Sequence, residues 1–258
     1  MLRLIGQENC PIPDLASVAR SDAAFSAEIL RLANSAIVGA RFEVVSILHA
    51  ISTLGLERLR ALVITIALRN MMRSAKANPV LRICWRHNFA CALACEWMAD
   101  ACDIPRPSAY SAGLLHELGR ISMISLLGDK YIHVMNRAAE SDGDLEAFER
   151  STFGIDHFDA GRYLADEWGL PPALRSAICH RRPAPDAPVG MPHLVAVGCQ
   201  IADHSGFSTT GQHLEWDSAV IGAILPDFAL ERLVPFLGDM REEIPFKVRT
   251  FEAEFLAK

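Results

Sequence analysis

The sequence predicts an all-α protein. Apolar residues recur every three or four positions along most of the chain, whereas the strict alternation of a half-buried strand hardly occurs. Glycines and prolines mostly fall between the periodic segments, where helices end. A chain of 258 residues, 51% of them hydrophobic, is long enough to bury a substantial core. We therefore expect a smaller N-terminal helical bundle packed on a larger C-terminal one, with a helical C-terminal extension.

The N-terminal bundle is predicted to contain helices at 13–20, 21–34, 45–54 and 56–72. Gly55 separates the last two and suits a left-handed C-cap. The segment Val63-Ile64-Thr65-Ile66 would also suit a buried strand, but the surrounding apolar residues keep a period of about four, which favours a helix. The polar stretch at 73–79 marks a boundary, so we place the first unit at residues 1–78.

The larger bundle is predicted at residues 79–205, with helices at 81–102, 109–128, 130–141, 145–152, 157–168, 172–181 and 192–205. Residues 206–258 read as an extension of two or three more helices. Its apolar side chains either pack on the domain itself or form a surface for a partner. They are Phe228, Leu233, Phe236, Leu237, Phe251, Phe255 and Leu256.

Composition and charge argue against several classes of protein. A net charge of −6 without a basic stripe is atypical of nucleic-acid binding. The longest apolar run, 61–68, is far shorter than the ~20 residues that cross a bilayer, so we expect no membrane insertion. Arg3, Gln7 and Glu8 interrupt any signal-peptide core, which predicts a cytoplasmic location. An odd number of cysteines, seven, fits reduced thiols.

Cys84, Cys91, Cys95 and Cys102 fall on one stripe of the predicted helix 81–102. Thiols in such a row could form a zinc or iron–sulfur site. They extend over about five turns of one helix, however, which is too far for them to surround one ion. We therefore favour the interpretation that these cysteines pack in the core.

The pair His116-Glu117 lies in the middle of the apolar helix 109–128, where an ionisable pair is costly unless it is satisfied. His87 lies on the apolar stripe of its own helix, and Asp203 lies on the side of its helix that carries Cys199. Imidazole and carboxylate together suit divalent transition metals, and helical bundles often hold such sites.

Each of these residues also has a simpler interpretation. A buried histidine is often a hydrogen-bonded core residue, and Glu117 could pair with Arg120 three positions further on. Asp203 could accept hydrogen bonds from the backbone of the following turn. The residues alone leave both interpretations open.

Several segments resemble the HDOD family of bacterial signalling modules, which are relatives of the HD metal-dependent phosphohydrolases. They are Leu30-Arg-Leu-Ala-Asn-Ser35, Ser46-Ile-Leu-His-Ala-Ile51, Ala112-Gly-Leu-Leu-His-Glu-Leu-Gly119 and Asp156-His-Phe-Asp-Ala-Gly161. The resemblance extends over roughly residues 10 to 205. It implies an HDOD-type N-terminal bundle in front of an HD-like helical core.

The resemblance also implies a set of ligands. HD phosphohydrolases present their metal ligands in the order His, His-Asp, Asp, which His87, His116-Glu117 and Asp203 match. The implied cofactor is a divalent transition metal: iron, manganese, zinc or nickel. Glu117 departs from the pattern because it is one methylene longer than the aspartate of the family.

Three further positions bear on phosphate chemistry. Arg120 stands where many HD enzymes carry a lysine that approaches the substrate phosphate, so it is the candidate phosphate contact. His157 and His180 fall near positions that the HD-GYP relatives, which cleave cyclic di-GMP, use for an additional metal. Both histidines could equally be surface or capping residues. The loop after His180 lacks the Gly-Tyr-Pro signature of those relatives.

Three functions compete on this basis. The leading hypothesis is a signal-transduction output module with a degenerate HD-type site, which binds signalling proteins or a ligand rather than turning over a substrate. The alternative is a metal-dependent phosphohydrolase acting on a nucleotide or cyclic dinucleotide, which would need positive groups such as Arg120, Arg86 or Arg181. A structural interaction scaffold is the third. The altered His-Glu pair argues against turnover more than against binding.

Overall fold

The protein is described from a computed structural model. The described residues are 23–35, 38, 43–74, 78–141, 143–179, 183, 189–209, 224–225 and 227–253. Across these ranges the regular structure is helical and contains no β-strand, which confirms the all-α prediction. No helix in this part of the chain is long and apolar enough to cross a membrane.

The described N-terminal segment contains α1 (Ala23–Ala33), α2 (Ile47–Leu54) and α3 (Leu56–Ser74). The predicted helix 13–20 lies outside the described residues. Val63 to Ile66 lie inside α3, so the helical interpretation of that β-branched run is confirmed. Gly55 has a φ of 81°, a conformation that glycine adopts readily at the end of a helix.

Most of the remaining helices follow the predicted order. They are α4 (Pro79–Met98), α5 (Arg106–Leu115), α6 (Leu118–Leu127), α7 (Asp129–Glu140), α8 (Leu145–Phe153), α9 (His157–Glu167), α10 (Pro172–Cys179), α11 (Met191–Ala202), α12 (Asp227–Leu233) and α13 (Leu237–Phe251). Short helical turns follow α4 at Ala99–Cys102, α11 at Asp203–Phe207 and α12 at Val234–Phe236.

One hydrophobic core joins all three predicted segments. It contains Ile29 and Leu62 from the N-terminal helices, Leu194 from α11 and Phe251 from α13. The ring of Phe251 lies 4.6 Å from that of Phe89, measured between centroids. The three predicted segments therefore share a core. Their boundaries, which give segments of residues 1–78, 79–205 and 206–258, stay a prediction.

The C-terminal extension packs on this core through one face. Leu233, Leu237 and Phe251 are buried, whereas 49% of Phe236 is exposed beside Trp97. The Phe228 side chain and residues Phe255 and Leu256 lie outside the described part. The extension thus contributes apolar side chains to its own domain.

The predicted helix 109–128 is wrong as a single element. The chain turns at His116-Glu117, where Glu117 has a φ of −103° and a ψ of 25°, and this turn separates α5 from α6. After the turn, α6 packs so closely on α9 that a Cβ on Gly119 would lie 1.8 Å from the carbonyl oxygen of His157. Apolar residues continue across the turn, so the periodicity of the sequence did not reveal it.

Candidate functional site

Three potential metal ligands meet inside the larger bundle. His87 comes from α4, His116 from the turn between α5 and α6, and Cys199 from α11. One donor atom from each residue lies within 4.8 Å of the other two. The Cys199 Sγ is 3.3 Å from the His116 Nε2, and the two imidazole rings are 5.4 Å apart between centroids. We call these three residues the histidine–cysteine site.

Glycines allow the three segments to converge. A Cβ on Gly113 would lie 2.7 Å from the Ala92 Cα, so α5 packs directly on the backbone of α4. A Cβ on Gly198 would lie 2.8 Å from the Cys95 Sγ and 2.9 Å from the Cys91 Sγ, so α11 approaches the same helix as closely. Because the helices are in such close contact, the side chains of His116 and Cys199 lie next to that of His87.

Backbone carbonyls determine how the two imidazoles are oriented. The His116 Nδ1 lies 2.7 Å from the Gly113 carbonyl oxygen, which can only accept, so this nitrogen donates. The His87 Nδ1 lies 3.1 Å from the Phe207 carbonyl oxygen and 3.3 Å from the Asp203 Oδ1. In each neutral ring the Nε2 is therefore the nitrogen that carries the lone pair, and the Nε2 of His116 faces the Cys199 sulfur.

The electrostatics of the site favour a thiolate. The hydrogen bond from Cys91 holds the pKa of Cys199 well below its ordinary value, and His116 and His87 act in the same direction. Burial alone would lower the pKa of His87, but the Asp203 carboxylate and Cys199 outweigh burial and raise it. Burial is likewise outweighed at His116, whose pKa is raised by the charge of Cys199.

Glu117 lies beside this site but faces another partner. Its Oε1 forms an ion pair with the Arg120 Nη1, and only 11% and 16% of the two side chains are exposed. Burial would raise the pKa of Glu117, but Arg120 outweighs burial and lowers it. The Glu117 Oε2 and Arg120 Nε are buried without hydrogen-bond partners. Glu117 and Arg120, three positions apart, therefore form the ion pair that the sequence allowed.

Asp203 lies next to His87 but is not one of the three residues of the histidine–cysteine site. Its Oδ1 faces the His87 Nδ1 and makes no hydrogen bond of ordinary geometry. Cys199 is the donor that sequence reasoning missed. Cys199 precedes Asp203 by four residues, so the two side chains lie on the same face of the helix. The sequence therefore places this thiol near the predicted ligands, but it was not counted among them.

His157 belongs to a separate buried cluster. Glu149, which is fully buried, accepts hydrogen bonds from the His157 backbone N–H at 2.9 Å and from its Nδ1 at 2.7 Å. The Tyr131 hydroxyl donates to the other oxygen of Glu149. We call these three residues the Glu149 network. It completes the hydrogen bonds of its own members and lies outside the histidine–cysteine site.

The other predicted residues do not converge on this site in the described part of the chain. Arg86 forms an ion pair with Glu252, with 2.6 Å between the Nε and Oε1 atoms. His180 and Arg181 lie outside the described residues.

The helical cysteine stripe contributes core residues. Cys84, Cys91 and Cys95 are buried, and Cys102 is half-buried. All are free thiols, as is Cys199. The Cys91 Sγ lies 3.9 Å from the sulfur of Cys95 and 3.9 Å from that of Cys199. Within the described ranges, the group with metal-ligand spacing contains none of the four stripe cysteines.

Comparison with known proteins places most of the chain in one family. The model of the HDOD domain matches residues 1–183. An uncharacterized protein of Treponema pallidum (strain Nichols) is 23% identical over 188 residues, which cover 72% of this chain and 36% of that protein. The chain thus spans about a third of the length of this curated relative.

Solved structures show the same fold. A candidate phosphohydrolase of Shewanella amazonensis SB2B has a TM-score of 0.69 at 24% identity, with 96% of this chain and 91% of that chain covered. An HDOD domain protein of unknown function from Geobacter sulfurreducens has a TM-score of 0.67 at 21% identity, covering 95% and 90%. A candidate signal transduction protein of Marinobacter aquaeolei VT8 has a TM-score of 0.68 at 22% identity, covering 96% and 57%.

Proposed function

The chain belongs to the HDOD family, and from that premise we propose that it is a signal-transduction output module that acts by binding rather than by turnover. The ion pair between Glu117 and Arg120 carries this proposal. The family resemblance assigns these two positions to a metal-binding carboxylate and to a cation that contacts phosphate. Because the two side chains neutralise each other, neither is available for its enzymatic role.

The burial of this ion pair makes it hard to open. Both side chains are largely shielded from water, so a substrate that separated them would leave an unpaired charge inside the protein. Removing one partner of a buried pair costs roughly 3 kcal/mol or more. A phosphate would have to repay this cost before any chemistry began.

In this proposal, His87 and His116 hold a divalent transition metal of the iron, manganese, zinc or nickel group, for which imidazole is a suitable ligand. The convergence of their rings with Cys199 supports the fit. Asp203 orients His87, and Glu117 serves as the partner of Arg120. When bound, such an ion would supply a positive charge and join α4 to the turn between α5 and α6.

The partners expected for an output module are signalling proteins, with a nucleotide or cyclic dinucleotide as the expected class of small ligand. The structural likeness to a candidate signal transduction protein supports this expectation. A cytoplasmic location and the absence of nucleic-acid binding stay predictions from the sequence.

The main alternative is a metal-dependent phosphohydrolase acting on a nucleotide or cyclic dinucleotide. The convergence of His87 and His116 favours it, and the engaged Arg120 opposes it. A structural scaffold, the third hypothesis, would leave the histidine–cysteine site without a role.

A hydrolysis assay separates the first two functions. Untagged protein supplemented with manganese or zinc is incubated with bis(p-nitrophenyl) phosphate or cyclic di-GMP, and an active HD phosphodiesterase serves as the positive control. We expect product release no faster than with the metal alone. Metal-dependent release that falls about tenfold or more in His116→Ala would contradict the proposal, since loss of a ligand has effects of that size or larger.

A further inference from the structure

We propose that His87, His116 and Cys199 form a mononuclear site for a thiophilic divalent cation, zinc above all, with the Cys199 sulfur as the third ligand. This inference goes beyond the proposed function, which assigns only the two histidines to a metal. The proposed ligands also differ from those that the family resemblance implies, which are histidines and carboxylates and include no thiolate.

The distances suit three of the four ligand positions of a tetrahedral ion. Zinc binds imidazole nitrogen at about 2.0 Å and thiolate sulfur at about 2.3 Å, which places neighbouring ligand atoms about 3.5 Å apart. The Cys199 Sγ and the His116 Nε2 are 3.3 Å apart. Since the three donor atoms all lie within 4.8 Å of one another, shifts on the order of 1 Å would complete the site.

The surrounding groups orient the histidines as metal-binding histidines usually are. A metal-bound imidazole commonly donates its second N–H to a carboxylate or a backbone carbonyl, which fixes the ring and its tautomer. The His116 Nδ1 faces the Gly113 carbonyl, and the His87 Nδ1 faces Asp203 and the Phe207 carbonyl. In each neutral ring the Nε2 then carries the lone pair for an ion, which would replace the contact between the His116 Nε2 and the Cys199 sulfur.

The charges of the site also match a divalent ion. A thiolate at Cys199 and the carboxylate of Asp203 carry two negative charges, and Glu117 is already neutralised by Arg120. A divalent cation between two neutral imidazoles would bring the local charge to zero. Protons held by the thiol or by an imidazolium would be released to water on binding.

The chemistry of the donors selects the metal. Thiolate with imidazole suits zinc, whereas carboxylate and water suit magnesium, calcium or manganese. The site would tie α4, the turn before α6 and α11 together. Zinc at about a hundredfold excess over its dissociation constant should therefore raise the unfolding temperature by roughly 5 °C.

Cobalt(II) titration tests the sulfur ligand directly. Untagged protein is titrated with cobalt(II), and the thiolate-to-cobalt charge-transfer absorption in the near ultraviolet is recorded. We expect it to saturate at one cobalt per chain, to disappear in Cys199→Ser and to persist in Cys102→Ser, which changes a half-buried cysteine outside the site. Absence of the band in the wild type, or its persistence in Cys199→Ser, would overturn the proposal.

A second measurement needs no variant and so remains decisive if Cys199→Ser fails to fold. X-ray absorption fine structure of the zinc-loaded wild type should show one sulfur and two imidazole nitrogens around the ion. A shell of oxygen and nitrogen alone would overturn the proposal. Neither result depends on hydrolysis, so failure of the zinc site and failure of the output role are distinguishable.

Discussion

The histidine–cysteine site and the Glu149 network both place buried histidine side chains beside a carboxylate, yet they differ in how completely their polar atoms are paired. Each oxygen of Glu149 accepts at least one hydrogen bond, from Tyr131 or His157. Beside the histidine–cysteine site, the Asp203 Oδ1 and the Glu117 Oε2 have no hydrogen-bond partner. Buried polar groups that satisfy one another stabilise a fold, whereas the unpaired Asp203 oxygen lies beside a histidine of the histidine–cysteine site.

This difference explains why the family resemblance alone is insufficient to assign roles. The family resemblance puts His157 near a position that the HD-GYP relatives use for an additional metal, but here its Nδ1 is engaged by Glu149. Cys199 has no counterpart in the ligand order of the HD enzymes, yet its sulfur faces His116. The hydrogen bonds of a residue therefore bear on its role as much as its place in the sequence does.

The largest effect is expected when the Glu149 network is broken. Glu149→Gln keeps the volume of the side chain but replaces an oxygen that accepts hydrogen bonds with an amide that donates them. Two donors of His157 and the Tyr131 hydroxyl compete for the remaining acceptor, so the free energy of unfolding should fall by about 4 kcal/mol. Urea unfolding followed by circular dichroism measures the loss.

Glu140→Gln makes the same chemical change at an exposed position of α7 and should cost less than about 0.5 kcal/mol. Equal losses in the two variants would mean that the Glu149 network does not stabilise the fold. Cobalt absorption should remain in Glu149→Gln at temperatures where the variant is folded, because Glu149 is outside the histidine–cysteine site.

A somewhat smaller effect is expected at the contact between α6 and α9. Gly119→Ala would put a methyl group 1.8 Å from the His157 carbonyl oxygen and 2.6 Å from the Gly161 backbone nitrogen. The helices would have to separate, at a cost of about 3 kcal/mol. Thermal and urea unfolding give the value.

The matched control is Gly238→Ala in α13, where an added Cβ would have no neighbour within 4 Å. Its stability should not fall and should rise by up to about 1 kcal/mol, because alanine favours a helix more than glycine does. A Gly119→Ala variant as stable as wild type would show that the two helices are not in the close contact described above.

The smallest effect concerns pH. Burial would raise the pKa of Asp156, but the Asp159 backbone N–H and the Arg150 guanidinium outweigh burial and lower it. Because the folded carboxyl then takes up its proton at lower pH than the unfolded one, its stabilising contribution is present above about pH 4 and is lost on further acidification.

Asp156→Asn retains a side-chain oxygen for the N-cap of α9 but cannot titrate. The stability difference between wild type and this variant should narrow as the pH falls from about 6 to about 3, as measured by urea midpoints. If the stability difference between wild type and Asp156→Asn widened as the pH fell, the pKa of Asp156 would not be lowered by folding.

The sequence predicted much of the fold and part of the site. Periodicity located most helices from α1 to α11 to within a few residues, although it merged α5 and α6 into one helix. The turn at His116-Glu117 was missed, since apolar residues continue across it and the close contact of Gly119 with α9 is not visible in the sequence. The choice between metal ligand and ion-pair partner for Glu117 was likewise open, because the sequence shows that Arg120 is within reach but not which group the carboxylate faces.

The most direct test of the comparison is the zinc content of the wild type beside two histidine variants, His116→Ala and His157→Gln. Untagged proteins are equilibrated with zinc, passed through a desalting column and measured by elemental analysis. We expect close to one equivalent of zinc in the wild type and in His157→Gln, and less than about a tenth of an equivalent in His116→Ala. Zinc that is retained in His116→Ala, or lost in a folded His157→Gln, would contradict it.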